Sequence, residues 1–284
     1  MPVAPMQEVL RDAFAKRYGV GAFNIVNDLT MSAVLAAAEE TRSPVIIQVS
    51  VKTVKQLGAK LIQLMFADMA RRVTVPATLH LDHCPKREII EECVAAGWNS
   101  VLFDASNLNY ADNLAQTTEV VKLAHRHGIA VEGELEAVKG VEDGMGSEEG
   151  SDEVPLDKAL AFVRATKIDS FAPAIGTAHG VYKTEPRINF QRVADIVAAE
   201  PIPIVLHGGT GLKDDVFREL IRLGAVKVNI STNLKIVYTD GLRNHLNANP
   251  AQHDPAKLYD AVKPQVQAMA AGYMRLFGSA GQAA

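Results

Sequence analysis

The sequence of 284 residues predicts a (β/α)8 TIM barrel with extra C-terminal helices, and three observations carry the barrel. Eight short β-branched runs alternate with longer amphipathic segments, the order of βα units around a parallel sheet. Together they fill roughly 230 residues, close to the usual span of such a barrel. The rival architecture, a doubly wound sheet, usually carries a glycine-rich fingerprint after its first strand, and "FNIVNDLTM" has none.

Taken in order, the chain opens with "MPVAPMQEVLRDAFAKRYG", an amphipathic stretch with acids and bases mixed and without the apolar core of a signal peptide. The first strand is predicted at 21–27, followed by a helix over 30–41, and the second at 44–50 with a helix over 53–71. The third, "TVPATLHLD" (74–82), precedes a helix over 87–96. The fourth, 100–106, leads to a helix over 111–127, whose apolar residues keep the 3.6 period and end at Gly128, a suitable C′ residue. After the fifth strand, 130–136, comes "VKGVEDGMGSEEGSDEV" (138–154), rich in glycine and acid. A long loop of this kind directly after a strand would lie at the catalytic face of a barrel. Helix 155–166, strand 170–176, helix 189–199, strand 202–209, helix 213–223 and strand 225–231 complete the set. The last forty or so residues read as the extra helices, packed under the barrel or against a second subunit.

With 48% hydrophobic and 22% charged residues the chain can bury a substantial core, and nothing marks a boundary, so residues 1–284 are read as a single domain. A net charge of -4 gives no sign of attraction to nucleic acid or lipid. Two cysteines do not make a disulfide framework, which points to a reducing compartment. No uncharged apolar run reaches the roughly 18 residues of a membrane span. A cytoplasmic protein is expected.

In barrels the active site is built from the C-terminal ends of the strands. Here the first run offers Asn24 and Asn27, the second Ser50, the third Asp82 and His83, the fourth Asp104 and the fifth Glu134. The sixth runs into His179, the seventh into His207, and the eighth into Asn229, Ser231 and Thr232. A lone buried histidine is more often a satisfied core residue than a ligand, but ionisable or small polar groups at all eight ends do not fit that pattern. Three histidines at three strand ends fit a zinc-type site with one open position. Within "HLDH", His80 and Asp82 share one strand face and His83 lies past the turn. His80 is therefore the weaker ligand, read as buried support, while Asp82 beside a ligand is placed as an acid or base. Cys84 and Cys93 read as packed side chains. The turns "GTAHG" (176–180) and "HGGTG" (207–211) let backbone N–H groups approach an anion. The latter, with "NIST" after the eighth strand, occupies the place where barrels commonly bind phosphate.

These residues resemble a known family. "HLDH", "VEGELE", "APAIGTAHGVYKTEP", "LHGGTGL" and "KVNISTNLKI", in this order over about residues 5 to 275, are similar to the class II, metal-dependent fructose-bisphosphate and tagatose-bisphosphate aldolases. The resemblance implies that His83, His179 and His207 bind a catalytic zinc, and that Asp82 exchanges a proton with the C4 hydroxyl of the ketose. It implies that Asp104 and Glu134 hold a second or displaced divalent metal, a monovalent cation being the other further ion. Glu142, in the acidic loop, matches the base acting at C3. Gly180, Gly208, Gly209, Thr210, Asn229, Ile230, Ser231 and Thr232 match positions that bind dihydroxyacetone phosphate. Ser50 matches a contact to the aldehyde phosphate, and Asn24 an active-site asparagine. A homodimer or homotetramer is implied, with a small sugar phosphate as substrate and neither nucleic acid nor membrane as partner. Thr210 stands where many members have serine, Asn233 where an acid is frequent, and "QVSVKTVKQLG" departs from typical members on the aldehyde side. Fructose 1,6-bisphosphate, tagatose 1,6-bisphosphate and a keto-acid sugar phosphate all stay open as substrates.

No Schiff-base lysine is needed, so Lys183 and Lys227 read as phosphate contacts or surface charge. Two rival readings are a metal-dependent hydrolase on the same barrel and a non-catalytic aldolase-like subunit. The hydrolase would need neither a phosphate turn nor an acidic loop, and the subunit would not need every metal and acid position filled.

Overall fold

The computed structural model describes residues 2–142, 145–147, 153–182 and 184–283, with the backbone alone at 141, 142 and 145–147. In chain order the strands are β1 (Val20–Asn24), β2 (Val45–Ser50), β3 (Ala77–Cys84), β4 (Ser100–Phe103), β5 (Ala130–Glu134), β6 (Gly140–Glu142), β7 (Met145–Ser147), β8 (Ser170–Ala172), β9 (Ile204–Leu206) and β10 (Ala225–Ile230). All but β6 and β7 are parallel neighbours in a closed eight-stranded barrel that runs in chain order and seals by pairing β10 with β1. β6 and β7 form a separate antiparallel pair after β5. The expected (β/α)8 barrel is the fold.

The helices are α1 (Met6–Lys16), α2 (Asp28–Thr41), α3 (Val51–Leu57), α4 (Ala59–Ala70), α5 (Arg87–Ala96), α6 (Tyr110–His125), α7 (Leu156–Thr166), α8 (Phe190–Ala199), α9 (Asp214–Leu223), α10 (Thr232–Ala248) and α11 (Pro255–Leu276). Their starts are set by local chemistry. Asn27 and Thr30 form a reciprocal capping box on α2, and Asn109, Asn189 and Asp254 cap α6, α8 and α11. The helix predicted over 53–71 is instead two, because Gly58 at φ 85 turns the chain between α3 and α4. Strands and helices bury one continuous apolar layer between them, with Phe23, Ile47, Leu79, Leu81, Val101, Val131 and Ile230 on the outer face of the sheet. That is why the strands read as unbroken β-branched runs rather than alternating ones.

The bottom of the barrel is closed by α1. Met6, Val9, Leu10 and Ala13 pack with Val20, Ala22, Ile46, Ala130 and Val226 in a second apolar cluster. The C-terminal helices do not take that place, one of the two expected for them. α11 packs on α2 and α10 along the flank, and the tail beyond it bonds Gly19, Thr41 and Arg42 at the base. Among the described residues no helix is long and apolar enough to cross a membrane.

Candidate active site

The site begins with an irregularity in β3. His80 and Leu81 pair with Ser100 and Val101 of β4, but Cys84, not His83, meets Phe103. β3 thus holds one extra residue, a bulge, and His83 sits at φ 42 in the left-handed region. For a side chain with a Cβ that conformation costs about 1–2 kcal/mol. The bulge re-aims side chains. Consecutive residues that regular alternation would send to opposite faces both reach the barrel mouth. The strand therefore runs on through His83 to Cys84, rather than ending at a turn before it.

Three imidazoles converge there. The ring centroid of His83 lies 5.1 Å from that of His179 and 4.6 Å from that of His207, and the latter two are 5.8 Å apart. One nitrogen from each falls within 4.8 Å of the others. Carboxylates take the opposite nitrogens of two of them. His83 Nδ1 bonds Asp104 Oδ2 at 2.8 Å, and His207 Nε2 bonds Glu132 Oε1 at 2.8 Å. This leaves His83 Nε2 and His207 Nδ1 buried and without a hydrogen-bond partner among the described residues. Buried orphan nitrogens on rings already oriented by carboxylates are what a metal ligand needs, so the residues present fit a divalent ion.

Burial holds the pKa of His207 below its ordinary value, outweighing the bond to Glu132 that would raise it. The shift favours the neutral imidazole, the form that ligates. Burial also opposes charge on His83, but Asp82, Asp104 and Glu134 outweigh it and hold its pKa well above the usual. The surroundings of His83 are thus rich in negative charge and suited to a cation. Burial pushes Glu134 well up, helped by Asp104. Burial would raise Glu132 too, but Lys227 and His207 bring it down.

Asp82, 2% exposed, accepts from Asn24 Nδ2 at 2.8 Å, and Asn24 Oδ1 accepts from Gln48 Nε2 at 2.7 Å. The second oxygen of Asp82 is buried with no partner among the described residues. His83, Asp104 and Glu134 form another group able to hold an ion. Ser50 caps α3 through Thr53 N–H. Gly208 and Gly180 have positive φ, and a Cβ on Gly209 would lie 3.0 Å from Asn229 O, so this turn is pressed against β10. Thr210 Oγ1 accepts from Asn233 N–H, which ties the turn to the start of α10 at Thr232. Ser231 Oγ is buried and without a hydrogen-bond partner among the described residues. Ile230 points into the layer between sheet and helices, which leaves only its backbone for the site. Beside His179 lies a cavity of about 510 Å³, bordered by Gly140, Gly176, Ala178 and Tyr182, within the range of a small-molecule site.

The family model for class II fructose-bisphosphate aldolases matches residues 4–282. The chain belongs to that family. It is 38% identical, over the full length of both chains, to a fructose-bisphosphate aldolase of Geobacillus stearothermophilus. It is 37% identical, over all of this chain and 97% of the other, to a 6-phospho-5-dehydro-2-deoxy-D-gluconate aldolase of Shouchella clausii (strain KSM-K16). The crystal structure of the YdjI aldolase from Escherichia coli K12 superposes with a TM-score of 0.88 at 34% identity, covering 99% of this chain and all of that one. The protein is a class II aldolase, a carbon–carbon lyase.

Some parts of the candidate site are not singled out by the sequence. Glu132, two residues before Glu134 and so on the same strand face, was there to be found by alternation. Lys227 is neither a phosphate contact nor surface charge. It is fully buried, 2.9 Å from Glu132 and 2.8 Å from Asn229 Oδ1. His80 bonds Ser100 at 2.9 Å and is not in either ion-binding group. Cys84 bonds the Lys86 carbonyl, and burial pushes its thiol up to about 11, so it reads as packing. Glu142 ends β6 but its side chain lies outside the described residues, as does Lys183.

Proposed function

We propose that this aldolase is zinc-dependent and reversibly cleaves fructose 1,6-bisphosphate to dihydroxyacetone phosphate and glyceraldehyde 3-phosphate. The observation that carries the reading is the convergence of His83, His179 and His207 beside a buried Asp82 with one unpartnered oxygen. The three histidines would hold the zinc, which when bound supplies a Lewis acid for the C2 carbonyl and its neighbouring hydroxyl. Asp104 and Glu132 orient His83 and His207, and Asp104 with Glu134 would hold a second or displaced ion. Asp82 takes the proton of the C4 hydroxyl at Oδ1 while Asn24 steadies Oδ2. The C3–C4 bond breaks, its electron pair stays on C3, and C4 becomes the aldehyde carbon. Glu142 delivers a proton to C3, or removes it in the condensing direction.

The phosphate of the dihydroxyacetone half is held by backbone N–H groups at Gly180, Gly208, Gly209 and Thr210, with Asn229 and Ile230 at the end of β10 and Ser231 and Thr232 at the start of α10. The unpartnered Ser231 hydroxyl supports that placement. Ser50 contacts the phosphate of the aldehyde half. A keto-sugar-acid phosphate is the second reading, favoured by a relative named for such a substrate at nearly the same identity. A cleavage screen of fructose 1,6-bisphosphate, tagatose 1,6-bisphosphate and 6-phospho-5-dehydro-2-deoxy-D-gluconate, following the released three-carbon fragments, separates these substrates. Release of inorganic phosphate without triose phosphate would replace the reading with a hydrolase. Zinc binding with no turnover of any ketose phosphate would leave a non-catalytic subunit.

A further inference from the structure

We propose that Tyr182 is a positioning residue that fixes the turn carrying His179 against the turn carrying His207, and so sets the geometry of the ion site. The proposal rests on the reading of these histidines as metal ligands. The Tyr182 hydroxyl accepts a hydrogen bond from Ala178 N–H at 3.0 Å and donates one to the Gly208 carbonyl at 2.7 Å. Ala178 and Gly208 are the chain neighbours of His179 and His207. The ladder between β8 and β9 has one register pair, Phe171 with Ile204, and does not reach either histidine. One oxygen thus joins two segments that the sheet has already let go.

The packing around it is close. A Cβ on Gly208 would sit 2.4 Å from Ala178 O, so the two turns touch backbone to backbone. The Tyr182 ring lies over the far end of the same glycine turn, 3.6 Å from where a Cβ on Gly211 would be. On its other side the first turn is pinned by His179 N–H to Lys139 O at 2.7 Å. Without the hydroxyl, Ala178 N–H and Gly208 O lose their shared partner and the spacing of the two imidazoles is no longer fixed.

Tyr182→Phe in the full chain keeps the ring and removes only the bridging oxygen. Zinc affinity, measured by competition with a chromogenic chelator, should fall about tenfold, as for other groups that support metal ligands. The visible absorption of the cobalt-substituted variant should shift from that of the unaltered protein. A lower Tm with zinc affinity and cobalt spectrum unchanged would overturn the proposal, since a merely stabilising contact predicts that result. If the unaltered protein binds neither metal, the ligand reading fails and the proposal with it; if it binds both and the variant matches it, only the proposal fails. Should the variant not fold, amide exchange in the unaltered protein decides. Slow exchange at Ala178 supports the bridge, and exchange at the rate of an open loop overturns it.

Discussion

Glu132 stands between two demands: it holds His207 through Oε1 and balances the buried charge of Lys227 through Oε2. Lys227→Met would leave that carboxylate buried and uncompensated, a change that typically destabilises by about 3–5 kcal/mol. Urea unfolding should show a loss of this size, and a variant as stable as the parent would contradict the pairing. Asp82→Ala should keep its zinc and lose about 10²- to 10⁴-fold in kcat, the range for a positioned proton carrier. His179→Ala should lose both metal and turnover, which metal analysis and the cleavage assay read together; normal zinc content would remove it from the ligand set. At this scale the sequence shows which groups are chemical, because burying an ionisable residue at a strand end is costly unless a partner or a ligand offsets it. It does not show which second nitrogen each histidine spends on which carboxylate. Those partners come from other strands, 21 residues away for Asp104 and 75 for Glu132.

The elements differ from expectation where the backbone leaves the regular path. The bulge in β3 places Asp82 and His83 side by side, and no residue type in "HLDHC" announces it. The strand predicted over 170–176 stops at Ala172, because Pro173 has no N–H to give the ladder. The run predicted over 202–209 shrinks to Ile204–Leu206 after Pro203 and before the glycine turn. Gly58, at φ 85 and ψ 137, is in a region almost closed to other residues, and a Cβ there meets nothing within 4 Å. Gly58→Ala therefore carries a purely conformational penalty of about 1–3 kcal/mol. Thermal unfolding should shift down while kcat stays unchanged, and an unshifted Tm would mean that the break between α3 and α4 is not held by this glycine.

For the whole molecule, the eightfold alternation of runs was enough to give the barrel, because each βα unit repeats the same pattern of burial. It was not enough to place α1 or α11. An amphipathic face says that a helix packs, not against what, and so the floor of the barrel went to α1 and the flank to α11. Leu10, almost wholly buried in that floor, is far from the histidines at the opposite end. Leu10→Ala should cost about 2–5 kcal/mol of stability and leave kcat of the folded protein unaltered. A fall in kcat at temperatures where the variant stays folded would mean that floor and mouth are coupled. The identity of the aldehyde half is not written in the shared barrel chemistry, and relatives named for different sugar-phosphate substrates align almost equally well along the chain. Metal dependence is decided by metal removal and reconstitution, assayed on whichever ketose phosphate the protein cleaves best. Chelated protein should release no triose phosphate, zinc should restore cleavage, and borohydride added with substrate should leave the restored activity intact. Undiminished cleavage by the metal-free protein, or its loss to borohydride, would contradict a metal-dependent site built on His83, His179 and His207.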